Sequence, residues 1–273
     1  MTEQLTKNIA APAWPPTGGT GSCCSCTPTD VNEIRQVIRS KYAEVSVSAA
    51  GKFQYPVGKE GVKALGYDTD LIENAYPQFF ESSCGVGNPF SLGPIKPGSI
   101  LLDFGCGAGF DLFVASKLIG EKGRVYGIDL TEEMVQRAKK NLNLAGVTNF
   151  EIKKVDSETV PYENDFFDVV ISNGVINLSE NKETTFKEIY RILKPGGRLQ
   201  FADVMLEREL PATLAGSAEA WSQWIGGAIP VGDQKRLLHE TGFSDVEYVG
   251  TTGFRTSEYT VGGLFRASKK VRK

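Results

Sequence analysis

The chain has 273 residues, 41% hydrophobic and 23% charged, with a net charge of −3, which suits one large soluble domain or one domain with a small appendage. That balance excludes recruitment of nucleic acid by bulk charge, and the basic end Lys269–Lys273 reads as a solvated tail. No apolar run approaches membrane-spanning length and residues 1–21 lack a signal-peptide core, so a cytoplasmic protein without a membrane span is expected.

Residues 1–28 read as a flexible leader, broken by Pro12, Pro15 and Pro16. The five cysteines are odd in number, which argues against a disulfide framework. Cys23, Cys24 and Cys26 fit no standard zinc spacing. They either bind a soft, thiophilic ion or are incidental to the tail, and both readings stand. Asp30-Val31-Asn32-Glu33 has the form of a capping box, and Val31, Ile34, Val37, Ile38 and Tyr42 recur at helical spacing, predicting a helix to about Val45. Residues 46–68 show no period and are expected as a capping loop; a short helix is expected over Asp70–Phe80. The glycine-rich turn Cys84–Phe90 then leads into the first core strand, completing a cap over 29–98.

Ser99–Phe104 has the length and apolar content of a buried parallel strand, and Phe110–Ile119 reads as a helix. Between them Gly105, Gly107 and Gly109 form a turn whose backbone can approach a ligand without a Cβ in the way. Phe110 stands where a dinucleotide fingerprint needs its third glycine, so that pattern fails. Arg124–Asp129 is a second strand ending in a carboxylate placed to accept hydrogen bonds from a ribose diol. Asp103, the glycines and Asp129 together resemble motif I and the acidic loop of class I S-adenosylmethionine (SAM) methyltransferases.

The alternation continues with a helix over Thr131–Ala145, Thr131 its N-cap, and strands over 149–155 and Phe167–Asn173. A helix from Asn181 to Leu193 is expected to stop at Lys194-Pro195-Gly196-Gly197, with a strand from Gly197 to Val204. An insert over about 207–230 carries a helix near Ala215–Ile225; a helix over Asp233–Glu240 and strands near 246–252 and 259–267 close the sheet. The alternation predicts an α/β fold with a doubly wound sheet over 99–273 and a helical and irregular N-terminal cap, and the motif I resemblance implies that the sheet is of the Rossmann-like class I methyltransferase kind.

From Asn88 to Phe243 the chain resembles the arsenite methyltransferase family. Gly127-Ile128-Asp129-Leu130-Thr131-Glu132-Glu133-Met134 and Val170-Ile171-Ser172-Asn173-Gly174-Val175-Ile176-Asn177-Leu178-Ser179 are particular to it; Leu193-Lys194-Pro195-Gly196-Gly197 and motif I are more widely shared. The resemblance implies SAM-dependent methyl transfer to trivalent arsenic held by thiolates, which capture soft ions. The family's cysteines are missing here: Val86, Gly174 and Trp224 stand at their positions. A different soft or apolar acceptor is therefore expected, in a pocket lined by Trp221, Trp224, Phe90 and Tyr55, with Cys84 as a displaced thiol.

The resemblance also implies roles. The backbone of Gly105, Cys106 and Gly107 faces the methionine moiety, Asp103 holds its ammonium, and Asp129 binds the ribose. Leu130 and Met134 flank the adenine, Asp156 and Ser157 contact its amino group, and Ser172 and Asn173 end the fourth strand beside the methyl. Cys84, Asn173 and Trp224 are the candidate catalytic residues, and no metal site is expected. His239, the only histidine, is read as a surface or packing residue. Three functions stay open: a methyltransferase for a small soft or apolar acceptor, a carbon or oxygen methyltransferase for an aromatic or quinol acceptor, and a non-catalytic SAM- or metalloid-binding module.

Overall fold

The computed structural model describes residues 31–156, 158–215 and 217–271, so Cys23, Cys24, Cys26 and Ser157 lie outside the described residues. Helix α1 (Val31–Val47) stands where the capping box predicts it. The loop expected over 46–68 contains a helix, α2 (Gly58–Ala64), which glycines at two of its positions hide from any apolar period. Gly61 is required there, because a Cβ would lie 2.4 Å from the Pro56 carbonyl oxygen. The single helix expected over Asp70–Phe80 is two pieces, α3 (Thr69–Asn74) and α4 (Gln78–Glu81). Asp68 caps the first by accepting the Leu71 N–H at 3.0 Å, and Pro77 opens the second.

Strand β1 (Ile100–Phe104), helix α5 (Phe110–Ile119), strand β2 (Arg124–Asp129) and helix α6 (Glu132–Leu144) follow. Thr131 occupies the N-cap position of α6 but its side chain makes no capping bond; its N–H is donated to Asp129 Oδ1 instead. Next come β3 (Phe150–Lys154), β4 (Phe167–Asn173) and α7 (Lys182–Ile192), the last capped by Asn181. The proline and glycines of 194–197 do not end α7. Strand β5 (Leu193–Leu206) has already begun, with buried Leu193 paired to Phe167. In place of one insert helix there are two short ones, α8 (Ala212–Ala215) and α9 (Ala218–Ser222). Helix α9 stops before Trp224, whose left-handed backbone (φ +65°) no α-helix accommodates. Strand β6 (Ile229–Pro230), helix α10 (Val231–Glu240), and strands β7 (Ser244–Thr251) and β8 (Thr260–Ser268) complete the order.

The sheet runs β3-β2-β1-β4-β5-β8-β7. Strands β3 to β5 are mutually parallel, β8 is antiparallel to both β5 and β7, and β6 pairs with β5. Both faces of the parallel strands are covered, which is why they read as continuous apolar runs. On one face Leu101, Leu112 and Ile119 join Ile72, Phe79 and Phe80 of the cap; on the other Leu102 and Phe167 meet Phe186 and Ile189 of α7. Chain order reverses between β1 and β4, and in open α/β sheets the crevice beyond the strand ends at such a reversal is where ligands bind. Among the described residues no helix is long and apolar enough to cross a membrane.

Candidate functional site

A half-open cleft lies at that crevice, floored by residues 103–108 and roofed by α1 and residues 82–85. Its floor is bent by three glycines with φ of +84° (Gly105), +48° (Gly107) and +87° (Gly109). All three have the positive φ that glycine takes most readily, but their surroundings differ. A Cβ on Gly105 would lie 2.3 Å from Val175 Cγ2, and one on Gly109 would lie 3.2 Å from Ala138 Cβ; one on Gly107 would meet nothing within 4 Å and would project into open space. The Gly105 and Cys106 N–H groups both donate to the Ile128 carbonyl at 2.9 Å, fixing the turn against β2.

Asp129, at the end of β2, accepts the Gly107 N–H on Oδ2 and the Thr131 N–H on Oδ1, each at 2.9 Å. The Leu130 N–H and the Thr131 hydroxyl also lie against it and lower its pKa, against a larger rise from burial, so several of its lone pairs are engaged from within the chain. Asp103 is 2% exposed and lines the cleft, yet no group among the described residues donates a hydrogen bond to it. Burial raises its pKa well above the ordinary carboxylate range, and the charges of Asp111 and Asp129 add to the rise. Burial likewise raises Asp129, against the pull of its backbone donors, and pushes Asp111 up to about 6. Two buried carboxyl groups, Asp103 and Asp111, and the half-buried Asp129 thus line one cleft, an arrangement that favours a cation.

Asp111 and Asn173 belong to a clamp. Tyr67 Oη donates to Asp111 Oδ1 at 2.7 Å, and Asn173 Nδ2 donates to Asp111 Oδ2 at 3.1 Å and to the Gly87 carbonyl at 2.9 Å. Asn173 Oδ1 accepts the Val86 and Gly87 N–H groups at 2.9 and 3.2 Å. The amide of Asn173 is therefore engaged on both ends, tying residues 85–87 to β4. Gly85 is there because a Cβ would lie 2.4 Å from Asn173 Nδ2.

At the far end of the cleft stand Cys84, Gly174, Tyr42 and Trp224. Burial pushes the Cys84 thiol up to about 12, against the lowering effect of the Lys41 ammonium and with Asp129 adding to the rise. It is a neutral thiol at pH 7, not a thiolate. Trp224 is 1% exposed, and its six-membered ring fills the space before Gly174, where a Cβ would lie 3.2 Å from Cζ2. Phe53 and Tyr55 stack on the indole at centroid distances of 5.3 and 5.7 Å.

Of the four aromatics expected to line a pocket, only Trp224 does so. Tyr55 stacks behind it, Phe90 packs on Tyr67, and Trp221 lies beneath the Lys182 ammonium at 5.1 Å. Leu130 and buried Met134 line the cleft beside Asp129. Asp156 is at the mouth but largely in solvent, paired with Arg39 at 2.9 Å and Lys154 at 2.8 Å. One residue departs from its expected placement: Ser172 is fully buried and donates to the Phe104 carbonyl at 2.9 Å, outside the cleft lining. Cys106 is at the cleft, with its side chain packed in the core against Gly127. His239 is exposed on α10, outside the lining.

Sequence reasoning gave no site role to Tyr67, Asp111, Tyr42 or Arg35. Asp111 follows the glycine turn directly, so its place was within reach. The others come from the cap and meet the site only through tertiary packing. Arg35 bridges Glu158 at 3.0 Å and Glu180 at 3.2 Å, holding α1 over the mouth.

A protein-family model described as a methyltransferase domain matches residues 95–242. The chain is 32% identical over 232 residues to an arsenite methyltransferase of Halobacterium salinarum, covering 80% of this chain and 59% of that protein, so it spans little more than half the relative's length. It is 33% identical over 180 residues to a ubiquinone/menaquinone biosynthesis C-methyltransferase of Hydrogenovibrio crunogenus, covering 58% of this chain and 70% of the relative. Among solved structures, an arsenic(III) S-adenosylmethionine methyltransferase from Chlamydomonas reinhardtii superposes with a TM-score of 0.56 at 28% identity, covering 79% of this chain and 75% of that one.

Proposed function

The chain belongs to the methyltransferase domain family, matched over more than half its length, and from that premise we propose that it transfers a methyl group from SAM to a small soft or apolar acceptor. The observation that carries the reading is the set of carboxyl groups lining the cleft, Asp103 above all: a cleft-facing acid without a donor calls for a cationic partner, and SAM carries an ammonium and a sulfonium. The open face of Gly107 and the placing of Asp129 in the cleft lining fit the same ligand.

When bound, SAM supplies an already activated methyl group on its sulfonium. Asp103 orients the ammonium, Asp129 accepts from the ribose hydroxyls, and Leu130 and Met134 pack against the adenine. Ser172 supports the wall from behind rather than touching the ligand. Asn173 acts by holding residues 85–87 closed over the cleft, a positioning role. Catalysis by this chain is mainly alignment and exclusion of water. We take the enzyme to work in the cytoplasm, on a small molecule and without nucleic acid.

A second reading, an aromatic or quinol-like acceptor, is favoured by one observation. The site that would hold a thiolate-bound metalloid offers the Cys84 thiol and, where further thiols would stand, Gly174 with an indole packed against it. Methyl transfer from labelled SAM to a panel of arsenite with glutathione, sulfide, small thiols and quinols tests both readings. Methylation of any member supports the enzyme, and the preferred member distinguishes the readings. SAM bound without turnover on the whole panel would leave the binding module in place of both.

A further inference from the structure

Trp224 is a bulky side chain held in a backbone conformation that glycine ordinarily takes, at φ +65°, with a cost of about 1–2 kcal/mol for an L-residue. Strain of this kind persists only where the surroundings over-determine it. Here they do. Asn177 Nδ2 donates to the Trp224 carbonyl at 2.9 Å, while Asn177 is itself fixed by its own N–H to buried Asp203 at 2.8 Å and by Lys182 Nζ to its carbonyl at 3.1 Å. The Trp224 N–H donates to the Trp221 carbonyl at 2.9 Å. This buried network sets the direction of one side chain, and that side chain enters the cleft.

The indole carries a polar group that the fold satisfies only in part. Trp224 Nε1 and the Tyr42 hydroxyl are both buried, and neither makes a hydrogen bond of good geometry among the described residues; the indole N–H lies close enough to the hydroxyl to lower its pKa, against a larger rise from burial, with the two ring centroids 6.5 Å apart. Both residues line the cleft. A buried donor without a well-placed acceptor costs roughly 1–3 kcal/mol, so two donors that satisfy each other only in part point to a ligand that supplies a better acceptor. The rings of Tyr42 and Trp224 form an aromatic wall, backed by Phe53 and Tyr55 stacked on the indole, and Ile38 and Leu178 also line the cleft.

We propose that Tyr42 and Trp224 form an acceptor-recognition pair, donating their O–H and N–H to an oxygen of a small planar molecule, a phenolic, enolic or carbonyl oxygen, whose ring lies against the aromatic wall. The proposal rests on the second reading above and names the substrate class for it. Both groups are donors, which suits an oxygen lone pair and gives nothing to a metalloid that seeks electron-rich ligands. Neither residue carries out chemistry; they position the acceptor.

The test compares 4-ethylphenol with ethylbenzene, which differ only by the hydroxyl, binding to the full chain saturated with S-adenosylhomocysteine and followed by saturation-transfer NMR. The wild type is expected to prefer the phenol. Tyr42→Phe and Trp224→Phe remove the O–H and the N–H and keep an aromatic side chain at each position, and each is expected to reduce that preference by about three- to tenfold, the range of one hydrogen bond. S-adenosylhomocysteine affinity, measured in the same samples, is expected to stay within about twofold and reports that the variants are folded. An unchanged preference in both variants overturns the assignment, as does displacement of the phenol by arsenite and glutathione in a manner lost only in Cys84→Ser. Failure of the wild type to bind S-adenosylhomocysteine would overturn the cofactor reading and the proposal with it; binding of S-adenosylhomocysteine without any phenol preference overturns the proposal alone.

Discussion

Gly105 and Gly107 sit two residues apart in the same turn, both at positive φ, and alanine at the two positions should do different things. At Gly105 (φ +84°) the new methyl would lie 2.3 Å from Val175 Cγ2 and 2.6 Å from Cγ1. Left-handed strain of about 1–2 kcal/mol and overpacking of about 1–3 kcal/mol together give roughly 2–5 kcal/mol. For a domain of this size that is about 5–15 °C in Tm. At Gly107 (φ +48°) the methyl meets nothing within 4 Å, so only the strain applies, about 1–2 kcal/mol and roughly 2–8 °C. That methyl stands on the cleft face, however, where overpacking against a ligand should weaken SAM by about tenfold or more. Thermal melts and calorimetric titration of both variants separate the effects. A Gly107→Ala variant that binds SAM like the wild type would refute the placement of the ligand on this turn, and equal melting of the two variants would refute the role of Val175.

The carboxyl groups lining the cleft make binding depend on pH. Asp111 is raised to about 6 by burial, and a cationic ligand favours its ionised form, so SAM affinity should fall as pH drops through about 6. The sign for the free protein is opposite: a folded pKa above the unfolded value gives stability present below about 3.8 and lost as pH rises through 6, on the order of 3 kcal/mol for Asp111. SAM should therefore raise Tm more at pH 7.5 than at pH 5; an equal rise would contradict the cationic-ligand reading. Asn173→Ala removes a hub bonded to Val86, Gly87 and Asp111, and should cost about 2–4 kcal/mol with faster hydrogen exchange at Val86 and Gly87; protection unchanged there would sink the clamp. Cys84→Ser should leave SAM affinity within about twofold, since the thiol is neutral and makes no bond to the glycine turn; a large loss in titration would mean the thiol faces the donor.

The strand-turn-helix unit around Asp103 to Ile119 and the strand Arg124–Asp129 were legible because buried parallel strands write continuous apolar runs and tight turns write glycine. The cap was not. Helix α2 hides behind its glycines, and Pro77 divides what periodicity alone joins. At the site, Asp129 and the Gly107 face could be read from spacing, whereas the Tyr67–Asp111–Asn173 clamp joins residues 44 and 62 positions apart, which no local pattern encodes. Ser172 was misread because its strand-end position suggests exposure, while its side chain alternates inward and bonds the Phe104 carbonyl. Trp224 was legible as a departure from the family pattern; that it fills the space before Gly174 required the fold.

The most direct test of the central claim is calorimetric titration of SAM into the wild type and Asp129→Asn. The account predicts one site, competed by S-adenosylhomocysteine, with affinity at least about tenfold weaker in the variant because a carboxylate that orders Gly107 and accepts from the ligand is lost. No SAM binding by the wild type, or equal affinity in the two proteins with both folded, would contradict it.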